Sequence, residues 1–282
     1  MTQDNTPDLL PFFQKGNRHT ITDFYVPQNV SNELRAFSLK VFVRLNAKNI
    51  KFKNVSFAHG VFDGCYLRSC VFDSCDFTGC RFIGSNLHQS SFTGCKFEYA
   101  TFERCQIDDD ILTSEAPREE NLRMRFARSL RMNYQQIGDA KAVNKAITLE
   151  LEATSKHLLV SWLSESAYHR KKYQGLLRVL QFLHWMEFWI LHFIWGNGES
   201  IFKLLRSIVI AVIVIGIYDA SSISAQATIY DYWESLKLAF GIFLGTVVRV
   251  HHSIGAASVI VATKLVALSL LTALLVKRFG RR

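Results

Sequence analysis

The chain has 282 residues, enough for two or three folding units, with 49% hydrophobic residues and a formal net charge of +9. Between Ser207 and Val276 the only charged residues are Asp219, Asp231, Glu234, Lys237, Arg249 and Lys264, and basic residues crowd on either side. Such an excess marks membrane orientation rather than nucleic-acid binding, and no helix-turn-helix or zinc-finger spacing is present, so nucleic acid is excluded as a partner. Met1 to Leu10 is polar, carries Asp4 and Asp8, and lacks a basic region followed by an apolar run. It does not read as a signal peptide, and the first half is expected in the cytoplasm. The prolines Pro7, Pro11, Pro27 and Pro117 all lie in the first 117 residues, leaving the remainder free to form helices.

Counting by fives from Phe52 meets Phe52, Phe57, Phe62, Leu67, Phe72, Phe77, Phe82, Leu87, Phe92, Phe97, Phe102, Ile107 and Leu112, thirteen large apolar residues in succession. Two positions before each centre the residue is mostly small, as at Gly60, Cys65, Cys70, Ser85, Cys95 and Cys105. Gly64, Gly79, Gly84 and Gly94 fall two positions after a centre. A period of five fits neither an α-helix nor a flat strand. It fits a chain that turns a corner at each repeat, with the large residue toward an axis and the small one beside it. Segments such as Cys75-Asp76-Phe77-Thr78-Gly79 and Ser85-Asn86-Leu87-His88-Gln89 closely resemble the pentapeptide-repeat family. The resemblance implies a right-handed, quadrilateral β-helix with four repeats per coil, here about three coils stabilised by stacking.

All six cysteines lie in this segment at spacings that are multiples of five. Zinc sites favour paired spacings and disulfides need an oxidising compartment, so cysteine reads here as a small buried hydrophobe. Some pentapeptide-repeat proteins mimic DNA and inhibit gyrase, which requires an acidic rod. The outward positions here mix Lys51, Lys53, Arg68, Arg81, Lys96 and Arg104 with Asp63, Asp73, Asp76, Glu98 and Glu103, which excludes that role.

From about Glu119 the pattern becomes helical. Leu122, Phe126, Leu130 and Tyr134 recur every four residues, Gly138-Asp139 reads as a stop followed by an N-cap, and a second helix runs through Ala142, Ala146, Leu149, Leu151 and Ala153. The two make a helical hairpin. After the basic cluster His169-Arg170-Lys171-Lys172 comes Leu176 to Trp195, rich in aromatics but interrupted by Arg178, His184, Glu187 and His192. That composition fits an interfacial amphipathic helix, or else a buried helix of the connector. Leu130, Tyr134 and Gly138-Asp139, with Trp195-Gly196-Asn197-Gly198-Glu199-Ser200, resemble the connector of pentapeptide-repeat proteins that carry an ion-channel domain; Asn197 stands where those have tyrosine.

Ile201 to Tyr218 and about Ala256 to Val276 read as two membrane spans, with Lys203 and Arg206 before the first and Lys277, Arg278, Arg281 and Arg282 after the second. The positive-inside rule then places both termini in the cytoplasm. Tyr230 to Val250 lies between, with a stripe of Leu236, Phe240, Phe243 and Leu244, and must enter and leave on the outer side as a re-entrant helix. Span, re-entrant helix and span resemble the two-transmembrane potassium-channel layout. Trp233-Glu234-Ser235-Leu236 resembles the start of its pore helix, and Leu271 to Phe279 the basic end of its inner helix. The resemblance implies four subunits around one axis. Its filter, Thr-Val-Gly-Tyr-Gly, corresponds here to Gly245-Thr246-Val247-Val248-Arg249-Val250-His251-His252. Both filter glycines are absent, and potassium selectivity is not carried over. Lys264 is the charge inside the second span, read either as facing the pore with Arg249 near its mouth, which would favour anions, or as pairing with a neighbouring subunit's carboxylate such as Glu234.

The fold class expected is therefore multidomain: an N-terminal segment and cap (1–45), the pentapeptide-repeat β-helix (46–114), an α-helical connector with the interfacial helix (115–198) and a two-transmembrane pore domain with a re-entrant helix (199–282). The function expected is an oligomeric ion channel or pore of a bacterial-type inner membrane. Its partners would be the lipid bilayer, further copies of itself and a trigger ligand or protein on the β-helix. A non-conducting membrane-anchored scaffold and a membrane-depolarising effector are the alternatives. No Walker loop, nucleophile elbow or H-E-x-x-H pattern is present, so no catalytic, cofactor or metal site is expected. His251-His252 could bind metal or sense pH, but adjacent histidines at a membrane surface read as solvated.

Overall fold

The computed structural model describes residues 18–164, 167–223 and 228–279. Met1 to Leu10, Arg281 and Arg282, and the side chain of His169, on which expectations were placed above, lie outside the described residues. The chain divides within one long helix into two compact units, Met1–His157 and Leu158–Arg282.

The first unit is a parallel β-solenoid of about four turns. Strands β1 (Thr20–Thr22), β3 (Val41–Val43), β5 (Val61–Asp63), β7 (Arg81–Ile83) and β9 (Thr101–Glu103) stack on one side, and β2 (Val30–Ser31), β4 (Lys51–Lys53), β6 (Val71–Asp73) and β8 (Ser91–Thr93) on another. The remaining sides are joined by single bridges, Tyr25–Asn46–Tyr66–Asn86–Gln106 and Ser56–Asp76–Lys96. From β3 onward each residue sits above the one twenty earlier, as Phe42, Phe62, Phe82 and Phe102 do. Coiling starts before residue 46. Ile21 pairs with Phe42 and Val30 with Phe52, offsets of 21 and 22, and these irregular first turns add to the three coils counted from Phe52.

The stacking explains the five-residue period. Aromatic columns form at Phe42–Phe62–Phe82–Phe102, Phe52–Phe72–Phe92 and Phe57–Phe77–Phe97, with successive ring centroids 4.8–5.2 Å apart. Leu67, Leu87 and Ile107 are buried on the fourth side. From Phe42 to Phe102 the corner residue two after each centre has positive φ, at glycines such as Gly84 but equally at Arg44, Asn54, His59, Ser74 and Tyr99. Where the small residue two before a centre is Cys or Ser, it is mostly a hydrogen-bonding element as well as a spacer. Its Sγ or Oγ donates to the backbone carbonyl 23 positions earlier: Cys65 to Phe42 (3.3 Å), Cys80 to Phe57 (3.0 Å), Ser85 to Phe62 (3.1 Å) and Ser90 to Leu67 (2.6 Å). The six thiols are free. Burial pushes Cys65 up to about 11 and Cys80 up to about 12.

Leu112, the last hit of the count, belongs to a short helix, α1 (Ile111–Ser114), and α2 (Glu120–Ile137) then lies across the last coil. Phe126 packs on Phe97 and Phe102. Side chains replace the missing next coil. Asn133 Oδ1 accepts from the Cys105 amide (2.6 Å) and its Nδ2 donates to the Cys105 carbonyl (2.9 Å), while Ser129 Oγ and Gln136 Oε1 accept from the amides of Phe102 and Arg104. The Glu115 carboxylate accepts from the amides of Gly94 and Cys95. A sheet edge with unpaired groups is a pairing hazard, and α1–α2 closes this one. Gly138 ends α2 in the left-handed conformation. Asp139 Oδ1 accepts from the Ala142 amide at the start of α3 (Ala140–Leu163), as the Gly-Asp pair predicted.

In the second unit α4 (Ala167–Lys172) and α5 (Leu176–Trp195) precede three packed helices, α6 (Ile201–Ile223), α7 (Ile229–Leu244) and α8 (Ile254–Phe279). A Thr228–Asp231 capping box starts α7 and left-handed Gly245 ends it. The face that α7 buries is Ser235, Ala239, Ile242 and Phe243; of the expected stripe Phe243 is buried, whereas Leu236, Phe240 and Leu244 keep exposed surface, and Gly216 of α6 lets α7 approach closely at Leu236 and Ala239. Helices α6 and α8 are each long and apolar enough to cross a membrane, and most of their apolar surface faces outward.

Candidate functional site

Asp219 is the sole acidic residue of α6, one turn from its end, and its carboxylate is fully buried. A buried carboxylate needs compensating partners, and the segment after α7 supplies them. Arg249 Nη2 donates to Oδ2 (3.0 Å), and the Nε2 atoms of His251 and His252 lie 3.0 and 2.9 Å from Oδ1. The buried Ser235 hydroxyl of α7 adjoins the same carboxylate. His252 is enclosed, with 4% of its side chain exposed, and packs on Tyr218; His251 retains 31%. His252 is thus not a solvated surface residue, whereas His251 stays open to the surroundings on one side.

The residues singled out as a filter make separate local contacts. Gly245 is the C-cap of α7, and the Thr246 amide and hydroxyl both donate to the Gly241 carbonyl (2.9 and 3.1 Å). Val247 packs toward α6 and α8 and its amide shares the Gly241 carbonyl, whereas Val248 projects outward. Arg249 is neutralised by Asp219 and so is not an uncompensated positive charge. Lys264, from the middle of α8, donates Nζ to the Leu244 carbonyl (3.3 Å) at the end of α7, where helix carbonyls carry partial negative charge. Glu234 pairs along its own helix with Lys237 at 2.8 Å.

At the other end of α6, Gly196 and Gly198 form a left-handed turn after α5. Lys277 near the end of α8 bonds the Gly198 carbonyl (2.9 Å) and the Glu199 carboxylate. Arg206 stacks over Phe193 at 4.3 Å, and Ser207 Oγ donates to the Ile194 carbonyl, fixing α5 to the start of α6. Asp219 was the residue that sequence reasoning passed over. Its signal was present: a lone carboxylate near the end of an apolar helix, and an Arg-x-His-His run thirty residues later.

Residues 46–114 match the family model described as "Pentapeptide repeat region". Among solved structures, QnrB1, a plasmid-mediated fluoroquinolone resistance protein, is similar at 14% identity, covering 32% of this chain and 53% of that one, with a TM-score of 0.19. A pentapeptide repeat protein from the thylakoid lumen of Arabidopsis thaliana is similar at 18% identity, covering 30% of this chain and 69% of that one, with a TM-score of 0.14. The chain thus spans about half the length of the first of these. A comparison with curated proteins finds no match.

Proposed function

We propose that the second unit is the membrane domain of an oligomeric ion channel or pore, with the solenoid as its cytoplasmic sensor or assembly module. The observation that carries this reading is the course of the chain after α6. Ser235, in the second turn of α7, adjoins Asp219; α7 ends beside Lys264, mid-way along α8; and seven residues after Leu244 His251 and then His252 are back on Asp219. An in-and-back excursion between two long apolar helices is the re-entrant layout, and a bilayer tolerates its exposed backbone only where protein or water surrounds it. Helix α6, at roughly 34 Å by its rise per residue, is long enough to span the hydrocarbon core. Helix α5 buries no side chain and carries Trp185, Trp189 and Phe193, as an interfacial helix does. Four copies around one axis follow from the likeness to two-transmembrane channels.

With Arg249 neutralised, Lys264 is the charge left to set ion preference, facing the pore at the level where α7 ends. The purified protein in planar bilayers under a KCl gradient is expected to pass current with anion preference or weak discrimination, and Lys264→Glu to move the reversal potential toward that of cations. A pore cleanly selective for potassium, or an unchanged reversal potential in the variant, would sink the proposal. The non-conducting scaffold is favoured by Val247 and Val248 where filter glycines would stand, and absence of any current decides for it.

A further inference from the structure

We infer that Asp219, His251 and His252 form a binding site for a divalent transition ion of the zinc type, closing the segment after α7 onto α6. The inference rests on these side chains alone and holds whether or not the protein conducts. Asp219 Oδ1 and the two Nε2 atoms lie within 4.8 Å of one another. The two nitrogens stand 3.0 and 2.9 Å from the same oxygen. An ion with bonds of about 2.0–2.1 Å to nitrogen and oxygen needs its tetrahedral ligands roughly 3.3 Å apart, so small ring movements suffice. Two imidazoles and a carboxylate are the donor set that suits zinc and its neighbours rather than calcium or magnesium. With three protein ligands, the fourth position is left to water or another ligand.

The surroundings are built to orient these ligands. Arg249 holds Oδ2 and so turns Oδ1 toward the histidines, the Ser235 hydroxyl adjoins the carboxylate, and Tyr218 packs on the ring of His252. Outer partners of this kind fix the geometry of a metal's ligands. Coordination through Nε2 replaces each ring's contact with Oδ1 and requires the imidazole in the tautomer that carries its proton on Nδ1. Asp219 and Arg249 cancel in charge, which makes the site weaker for a dication than an uncompensated carboxylate would be.

That balance gives a test with opposite signs. Full-length, untagged protein in detergent is titrated with Zn²⁺ against a chromophoric chelator, and with Co²⁺ by its visible absorption. The wild type is expected to take up one ion per chain. His251→Gln removes a half-exposed ligand and should weaken binding by about tenfold or more. Arg249→Gln keeps a donor for Oδ2 but removes the positive charge, and should hold or strengthen binding. Damage to the fold would move both variants the same way. Absence of binding, equal affinity in His251→Gln and wild type, or loss in both variants overturns the assignment.

Discussion

The side chain of Asn133 is the last rung of the solenoid, so truncating it measures what closing the stack is worth. Asn133→Ala leaves the N–H and C=O of Cys105 buried and unpaired, where the wild-type amide completes both at 2.6 and 2.9 Å. Each orphaned group costs about 1–3 kcal/mol, so the variant should lose about 2–6 kcal/mol. Whole domains are stable by only about 5–15 kcal/mol, and the melting temperature should fall by about 6–15 °C for a unit of this size. Gln135→Ala, two residues on at an exposed position of the same helix, is the control and should leave both quantities alone. Hydrogen exchange followed by mass spectrometry on the full-length protein in detergent reads the effect where it arises. Peptides containing Cys105 should exchange roughly thirtyfold faster or more, by the tenfold-per-1.4-kcal/mol conversion. If Cys105 stays as protected as in the Gln135→Ala control and the melting temperatures coincide, α2 merely lies against the solenoid and does not complete it.

At the corners, Gly84→Ala meets no neighbouring atom and should cost only the left-handed backbone term, about 1 kcal/mol. Gly79→Ala, whose new Cβ collides with the His59 ring, should cost more, and denaturant titration giving the reverse order would contradict the corner geometry. Because Cys65 and Cys80 titrate higher folded than unfolded, their contribution to stability is complete below the ordinary thiol value of about 8.5 and declines as pH rises toward 11 and 12. Cys80→Ser, which keeps a donor for the Phe57 carbonyl, should flatten the alkaline fall of the denaturation midpoint, and an unchanged slope would remove Cys80 from that explanation. Reporter fusions near Ser222 and at the C-terminus should fall on opposite sides of the membrane, with the C-terminus cytoplasmic; a common side for both would remove the two-span arrangement.

The repeat was legible because every fifth residue meets the same environment in the coil, so that one constraint is written twelve times from Phe52 to Ile107. Phe42 and Ala47 extend the count by fives back from Phe52 and are as buried as later centres, but the small Ala47 interrupts the run of large residues, and the turn before them was hidden because offsets of 21 and 22 break the count. The cap was hidden for a different reason. Asn133, Ser129 and Gln136 are ordinary polar residues on a helix, and their role exists only where α2 crosses the final coil. In the second unit the long apolar helices could be read by composition, but the buried face of α7 could not. Hydrophobicity pointed to Leu236, Phe240, Phe243 and Leu244, but only Phe243 of these is buried, and the small residues Ser235 and Ala239 complete the face. The pairing of Asp219 with Arg249, His251 and His252 is a long-range contact that charge counting treated as two unrelated features.

The twenty-residue register also makes the solenoid a spacer of fixed increments. Inserting one whole coil between Gly64 and Gly84 would repeat all four sides, raise the α1–α2 cap by about one interstrand spacing, ~4.8 Å, and leave it facing the same way. Inserting a single pentapeptide would swing the cap by about a quarter turn instead. Length and azimuth of whatever the solenoid presents are thereby set separately: the number of complete coils fixes one, and the remainder after division by four repeats fixes the other.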